Sequence, residues 1–185
     1  MPSIAMLMAD NGPTETTMRT LAIAMFACLA IRAPAAAADP EANKALIRSY
    51  IEEMWNKHLA SAADRFVATN FIEHNPRLPQ GLAGRKEFVT TVLTAFSDYH
   101  GELQDLVAEG DKVVARVQWT GTQDGPYQGR PATHNKLVFS TADFFRIQDG
   151  KIAEHWDVVD TLTRAVALGL VPAPTMSAPP PPRSP

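Results

Sequence analysis

The sequence contains a single cysteine among 185 residues, and its position removes disulfide chemistry from the folded protein. Cys28 lies in an apolar run, Leu21 to Ile31, which follows Arg19 and precedes the small residues APAAAA. A basic residue, a short apolar stretch and a run of small residues are typical of a secretory signal peptide. We expect cleavage after Ala38. The mature chain would then have no disulfide and no thiolate metal site.

Long hydrophobic runs are also scarce. The run in the predicted signal is too short to span a bilayer, and no other segment is both long and uniformly apolar, so we expect no membrane association after signal removal. Residues 1–17 are longer and more acidic than the usual start of a signal, which makes Met18 the expected first residue. The prediction is a secreted or periplasmic protein. The alternative is an unstructured N-terminus on a cytosolic protein.

Positive charge is not concentrated anywhere in the chain. Lys and Arg total 17 against 20 Asp and Glu, the formal net charge is −3, and no basic cluster occurs. Nucleic acids and anionic membrane surfaces are therefore not expected as partners. The sequence also lacks a Gly-rich phosphate loop, a nucleophile elbow and the close His and carboxylate spacing of a zinc helix. From these absences we expect the protein to bind neither a metal nor an organic cofactor.

Proline is abundant, and its distribution marks the end of the folded domain. The segment Val171 to Pro185, VPAPTMSAPPPPRSP, has too little apolar surface to order itself. We expect a disordered tail there. The chain thus divides into a signal peptide (1–38), one domain (39–170) and the tail (171–185).

The first half of the domain has helical periodicity. Asp39 followed by Pro40 is typical of a helix start, and apolar residues recur at helical spacing from there to Trp55. The pattern then predicts a shorter helix around Ala60 to Ala68, a brief strand from Phe71 to Asn75, and a third helix from Gly84 to Phe96.

From His100 the pattern becomes that of strands. Two strands meet at a turn over residues 109–111, a Gly- and Pro-containing excursion covers Gly125 to Pro131, and the remaining strands are Asn135 to Ile147 and Lys151 to Val159, joined at Asp149-Gly150. A short closing helix, Leu162 to Leu168, follows. Helices segregated from an antiparallel meander predict an α+β domain, with the helices across one face of a curved sheet that encloses a pocket.

The last strand has two chemically different faces. Because side chains alternate along a strand, Ala153, His155, Asp157 and Val159 share one face, and Ile152, Glu154, Trp156 and Val158 share the other. If the first face is inward, Asp157 lies in an apolar cavity. A carboxylate is costly to keep ionised there, which suits it to donating and accepting protons.

Three segments, FIEHNPRLPQG, DLVAEGDKVVARVQWTGTQDG and FFRIQDGKIAEHWDVVD, together resemble SnoaL-like polyketide cyclases and the related ester cyclases. The resemblance runs from Ala42 to about Gly169. It implies the cone-shaped α+β barrel fold of nuclear transport factor two, and a homodimer formed through the outer sheet face. It also implies an intramolecular aldol ring closure that needs no metal or organic cofactor.

The resemblance carries over to particular residues. Asp157 matches the family's general acid/base on the last long strand. Asp143 occupies the position of a second polar residue, where the cyclases have a histidine. His74 and Asn75 are similar to polar positions near the cavity mouth.

We therefore predict a site with catalytic residues Asp157, Asp143 and His74, and with substrate-binding residues His155, Asn75, Trp55 and Trp119. The expected ligand is a small hydrophobic molecule. The main hypothesis is an exported, cofactor-independent cyclase or isomerase acting on a carbonyl compound. Two alternatives stay open: a binding protein that holds a hydrophobic ligand without turning it over, and a dimeric interaction module whose pocket is filled by side chains. The polar residues could also be structural, satisfied by neighbouring side chains or backbone groups.

Overall fold

The computed structural model describes residues 39–175, so the predicted signal peptide and residues 176–185 of the predicted tail lie outside it. Helix α1 (Pro40–Tyr50) begins as the sequence predicts. The Asp39 carboxylate accepts hydrogen bonds from the backbone N–H groups of Glu41 and Ala42, at 3.0 and 3.3 Å. These bonds satisfy two of the donors that a helix start leaves unpaired.

The predicted first helix reaches Trp55, but its last part is not α-helical. A π-helical turn, Ile51–Asn56, continues α1 and buries Ile51, Met54 and Trp55. Asn56 then joins this turn to the sheet. Its side chain donates to the Gly101 carbonyl at 3.2 Å and accepts from the Gly101 N–H at 2.8 Å. Widened turns of this kind are frequent beside functional sites.

The second predicted helix is shorter than expected. A 3₁₀ turn (Ala60–Ala62) and helix α2 (Ala63–Phe66) end where strand β1 (Val67–Glu73) begins. Val67 has an extended backbone and pairs with Ile152, so the strand starts four residues before the position expected from the sequence. Pairing across the sheet outweighs the local helical pattern at this point.

The remaining elements follow the predicted order. They are helix α3 (Gly81–Ala95), strands β2 (His100–Glu109), β3 (Lys112–Thr122), β4 (Lys136–Gln148) and β5 (Lys151–Val159), and helix α4 (Thr161–Ala167). Asp149 and Gly150 both have positive φ angles, 51° and 69°, as a two-residue hairpin turn requires. Residues 171–175 follow without regular secondary structure and are exposed.

The five strands form one sheet in the order β1-β5-β4-β3-β2. Strands β2 to β5 pair as an antiparallel meander, whereas β1 pairs with β5 in parallel. The sheet curves but does not close, because β1 and β2 remain its edges. The predicted α+β fold is confirmed, with the helices packed on the concave face. None of the helices within residues 39–175 has the length and apolar character to cross a bilayer.

The inward faces of β3 and β4 follow strict alternation, and β5 departs from it at one point. His155 on β5 is 3% exposed, as expected for the inward face. Ile152, which simple alternation places outward, is also buried. The reason is a register shift: Arg146 pairs with Glu154 but Ile147 pairs with Ile152, so Ala153 is an extra residue on β5.

Candidate active site

A cavity of about 230 Å³ lies between the concave face of the sheet and the helices. Its wall is mostly aromatic and aliphatic. It includes all three tyrosines of the chain, Tyr50, Tyr99 and Tyr127, together with Trp55 and Trp119. The polar side chains along the wall are few and include Asn75, Asp143, His155 and Asp157. A concave, largely apolar pocket with a few convergent polar groups is the usual form of a small-molecule site.

Asp157 is a half-buried carboxylate whose position is fixed by Asn75. The Asn75 side-chain amide donates to both Asp157 oxygens, at 2.8 and 3.0 Å. Asn75 is itself held in place. Its backbone N–H donates to Glu73 Oε1, and its side-chain oxygen accepts from the Arg77 N–H, both at 3.0 Å. This second bond determines which end of the amide faces Asp157.

Arg85 and His155, at the cavity wall, form a buried charged cluster with Glu73 behind them. Arg85 Nη2 lies 2.7 Å from Glu73 Oε2, with these two side chains 4% and 1% exposed. His155 Nδ1 lies 3.0 Å from both Glu73 oxygens and 2.9 Å from Arg85 Nη2. Glu73 and His155 are neighbours because β1 pairs with β5 at these residues. Buried charges persist where they are paired in this way.

Asp143 continues the network towards β3. It lies directly opposite Asp157 in the β4–β5 register, and its Oδ1 is 3.2 Å from His155 Nε2. Its other oxygen accepts from the Thr141 hydroxyl, which in turn accepts from Trp119 Nε1 at 2.9 Å. Trp119 thus has a buried hydrogen bond and also packs on Trp55, with 5.3 Å between ring centroids.

The surroundings of His155 favour its protonated form. Burial and the Arg85 charge lower the pKa of His155, but its hydrogen bonds to Asp143 and Glu73 and the charge of Asp143 outweigh them and raise that pKa above its ordinary value. For Glu73, burial raises the pKa, and the opposing effects of His155 and Arg85 leave that pKa lowered. An imidazolium can donate from Nδ1 to Glu73 and from Nε2 to Asp143. The cluster therefore holds a proton next to the cavity.

The raised pKa of His155 predicts a pH dependence of stability. The unfolded chain releases this proton near the ordinary value of 6.5, whereas the folded protein keeps it to higher pH. The stabilisation is therefore complete below pH 6.5 and is lost as pH rises through the folded pKa. The free energy of unfolding should fall over that window, by at most about 1.4 kcal/mol per pH unit.

Urea denaturation of the wild type between pH 6 and 9 measures this slope. The variant His155→Gln should flatten it, and His100→Gln, which changes an exposed histidine, should leave it unchanged. A flat wild-type profile across the window contradicts the prediction.

His74 lies apart from the other predicted site residues. Glu73 faces inward on β1, so His74 faces outward. There it stacks on Trp156, with 4.2 Å between ring centroids and 4° between planes, and its Nε2 is 2.7 Å from Glu154 Oε2. The structure brings Asp157, Asp143, His155, Asn75, Trp55 and Trp119 to the cavity wall but not His74.

Sequence reasoning missed Glu73 and Arg85. A signal for each was present. Arg85 stands at the apolar positions of α3, in line with Val89 and Val92, and Glu73 follows Phe71 at the period of an inward strand face. A charge in an apolar stripe indicates a buried partner. The sequence gives no indication that the two residues pair with each other.

Asp143, His155 and Asp157 are also of the types that bind divalent cations, and their potential ligand atoms lie within 4.8 Å of one another. The hairpin forms this group, which the linear spacing of histidines and acids does not show. His155 Nε2 is directed at Asp143, and both Asp157 oxygens accept from Asn75. The same three side chains are thus arranged to exchange protons with one another and with a ligand.

A curved sheet covered by helices, with an acid–base cluster on the inner wall of an apolar cavity, defines a class of small α+β proteins with a nuclear transport factor two-like fold. The family model described as SnoaL-like polyketide cyclase matches residues 45–168. The chain belongs to this family.

Individual relatives are similar to this chain in sequence and in fold. The chain is 36% identical over 120 residues to aklanonic acid methyl ester cyclase DauD of Streptomyces sp. (strain C5), covering 60% of this chain and 71% of the relative. TsrD from Streptomyces laurentii superposes with a TM-score of 0.67 at 30% identity, over 72% of this chain and 98% of TsrD. AclR from Streptomyces galilaeus, a candidate hydroxylase, has a TM-score of 0.67 at 26% identity, over 74% of this chain and 87% of AclR.

Proposed function

We propose that this protein is a cofactor-independent acid–base enzyme, a cyclase or isomerase, that acts on a small hydrophobic carbonyl compound. One observation carries the proposal. A carboxylate, Asp157, is held by Asn75 at the wall of an apolar cavity, directly across the hairpin from Asp143, which is paired with the buried His155, whose pKa is raised. A base and an acid at one site are the two groups that carbonyl chemistry requires.

The residues suit a reaction with two proton transfers. Asp157 takes a proton from the carbon beside a carbonyl, and the electrons of that C–H bond form an enolate. In a ring closure the enolate carbon then bonds to a second carbonyl carbon. The oxygen of that carbonyl takes a proton from the Asp143–His155 side. In an isomerase the proton returns to a different carbon. Neither route needs an oxidant or reductant.

The cavity also bears on substrate size. DauD acts, by its name, on aklanonic acid methyl ester. The cavity here, at about 230 Å³, lies below the range of roughly 300–1,000 Å³ usual for ligand pockets. We propose a carbonyl compound of one or two rings as the substrate of this chain.

The first test is proton exchange, because it does not require the natural substrate. 2-Tetralone is a two-ring ketone with α-protons, and its conversion to the deuterated form in D₂O can be followed by proton NMR. We expect the protein to accelerate exchange above the buffer rate, and EDTA to leave the acceleration unchanged. A panel of such ketones, with aklanonic acid methyl ester, tests ring closure by product analysis. No acceleration on any compound, or an acceleration that EDTA abolishes, contradicts the proposal.

The apolar wall also favours a second candidate, a binding protein that holds a hydrophobic ligand without reaction. Tyr50, Tyr99, Trp55 and Trp119 offer aromatic contact area to such a ligand and need no catalytic group to do so. The two functions differ in what Asp157 does, and the variant Asp157→Asn distinguishes them.

We further propose, from the family resemblance, that two copies pair through the outer face of the sheet. From the signal-peptide pattern around Leu21 to Ile31, we propose that the protein is secreted or periplasmic. Phe144 and Val158 are 41% and 66% exposed on the outer sides of β4 and β5. Sedimentation should show a dimer for the wild type and a monomer for Phe144→Glu. A wild-type monomer at micromolar concentration contradicts the pairing.

A further inference from the structure

Arg164 projects from α4 into the aromatic part of the cavity. Asp160 caps the start of helix α4, its side chain accepting from the Thr163 N–H at 3.1 Å, and Arg164 follows one turn later. Its guanidinium carbon lies 5.7 Å from the centroid of the Phe139 ring, and the residue is half-buried in the cavity wall.

This guanidinium has no counter-ion among residues 39–175. No carboxylate oxygen lies within 4.0 Å of it, and its side chain makes no hydrogen bond there. Four other arginines in that part of the chain are paired with carboxylates, Arg65, Arg85, Arg116 and Arg146. The three that are not, Arg48, Arg77 and Arg130, are exposed, whereas Arg164 is half-buried. The unpaired nitrogens of Arg164 are not fully buried, and the residue lines the cavity, so a ligand there can reach the group.

The position of Arg164 makes an anion its natural partner. The group faces aromatic rings, and its charge acts to lower the pKa of Tyr99 and Tyr127, against burial, which is the larger effect and raises both. A cation in such surroundings loses part of its hydration without gaining a protein partner. A planar guanidinium matches the two oxygens of a carboxylate, so one bound carboxylate would provide the missing counter-ion.

The acids of the cavity do not provide this partner. Asp157 is bonded to Asn75, and Asp143 to His155 and Thr141. A second arginine, Arg77, lines the cavity with its side chain exposed and unpaired among residues 39–175. Exposed charges interact weakly, so Arg77 would attract an anion towards the mouth more than hold it.

We propose that the substrate carries a carboxylate, bound by Arg164, beside its hydrophobic ring system. The proposal rests on the proposed function in that it names the substrate class of the same cavity. It also separates this chain from DauD, whose named substrate is a methyl ester. Arg164 is then a specificity-determining residue: it selects the free acid over the ester and holds the ring system while Asp157 reacts.

The test compares one acid with its own ester. Binding of 2-naphthoate and of methyl 2-naphthoate to the full mature chain is measured at neutral pH by quenching of tryptophan fluorescence, with calorimetry as a check. The variants are Arg164→Gln, Arg164→Lys and, as the matched control, Arg48→Gln, which removes an exposed arginine of α1 outside the cavity.

We expect the wild type and Arg48→Gln to bind the acid more tightly than the ester. Arg164→Gln should weaken acid binding by on the order of tenfold or more, with ester binding changed by less than about twofold, and Arg164→Lys should recover part of the loss. The inference is overturned if the wild type fails to bind 2-naphthoate at millimolar concentration, if it binds the ester as tightly as the acid, or if Arg164→Gln weakens both ligands equally.

Failure of this inference differs from failure of the proposed function. Asp157→Asn should leave acid binding in place and remove proton exchange. Exchange that survives Asp157→Asn, together with an acid preference that depends on Arg164, supports the carboxylate site and contradicts the catalytic proposal. Loss of exchange in Asp157→Asn with no acid preference overturns the carboxylate site alone.

Discussion

Replacing Asp157 by asparagine should lower the rate constant for α-proton exchange by roughly 10²- to 10⁴-fold, the usual contribution of a positioned general base. The amide keeps the shape of the side chain, and its oxygen can still accept from the Asn75 amide that now holds both carboxylate oxygens. We therefore expect ligand affinity within about threefold of wild type and a melting temperature within a few degrees. NMR exchange kinetics, fluorescence titration and calorimetry measure the three quantities.

Asp105→Asn is the matched control for this variant. Asp105 is an exposed aspartate on β2 that pairs with Arg116, so the same chemical change is made on a strand outside the cavity. Its exchange rate should equal that of the wild type. If Asp157→Asn retains full exchange activity with unchanged ligand affinity, the acid–base proposal is wrong and the binding-protein alternative is favoured.

Replacing Arg85 by methionine should reduce the free energy of unfolding by about 3–5 kcal/mol, because Glu73 is left as a buried carboxylate without its arginine partner. Protonated His155 remains beside Glu73 and can offset part of the loss. The Arg85 charge lowers the pKa of His155, so its removal favours the protonated imidazole that pairs with Glu73. Because that imidazole is protonated at low pH, the loss of stability should be smaller at pH 6 than at pH 9. Urea denaturation at the two pH values measures both effects.

Arg116→Met is the control for this second variant. Arg116 makes the same kind of ion pair with Asp105, but their side chains are 54% and 61% exposed, so its loss should cost less than about 1 kcal/mol. The double variant Arg85→Met, Glu73→Gln should recover much of the stability, since no unpaired charge remains. Equal losses for Arg85→Met and Arg116→Met would show that the buried pair contributes no more than a surface pair.

Much of the fold could be predicted from the sequence because its signals are local. The Asp39-Pro40 helix start, the Asp149-Gly150 turn and the alternation along β3 each depend on neighbouring residues. The parallel pairing of β1 with β5 could not, because it joins residues more than eighty positions apart. The early start of β1 follows from that pairing and was missed for the same reason.

The site was predictable to the extent that strand alternation determines which face of the sheet a side chain lies on. Alternation pointed Asp157 and His155 to one face, and the structure places both on the cavity wall. The Glu73–Arg85 pair was not predictable, because it requires knowing that α3 packs beside β1. The His74 side chain points outward because the neighbouring Glu73 side chain points inward. The EHNP segment alone does not reveal which of the two side chains points inward.

The extra residue on β5 has a consequence for how this hairpin can change. If β5 paired regularly from the tight turn, with Ala153 opposite Arg146, Glu154 would stand opposite Phe145, and the imidazole and carboxylate that follow would point out at water. Because Ala153 is extra, Ile152 near the turn and His155 and Asp157 further along the strand all face inward. Loops at the rim can lengthen or shorten freely in descendants of this scaffold, whereas a one-residue slip of β5 that drew Ala153 into the regular ladder would turn the whole reactive row towards solvent.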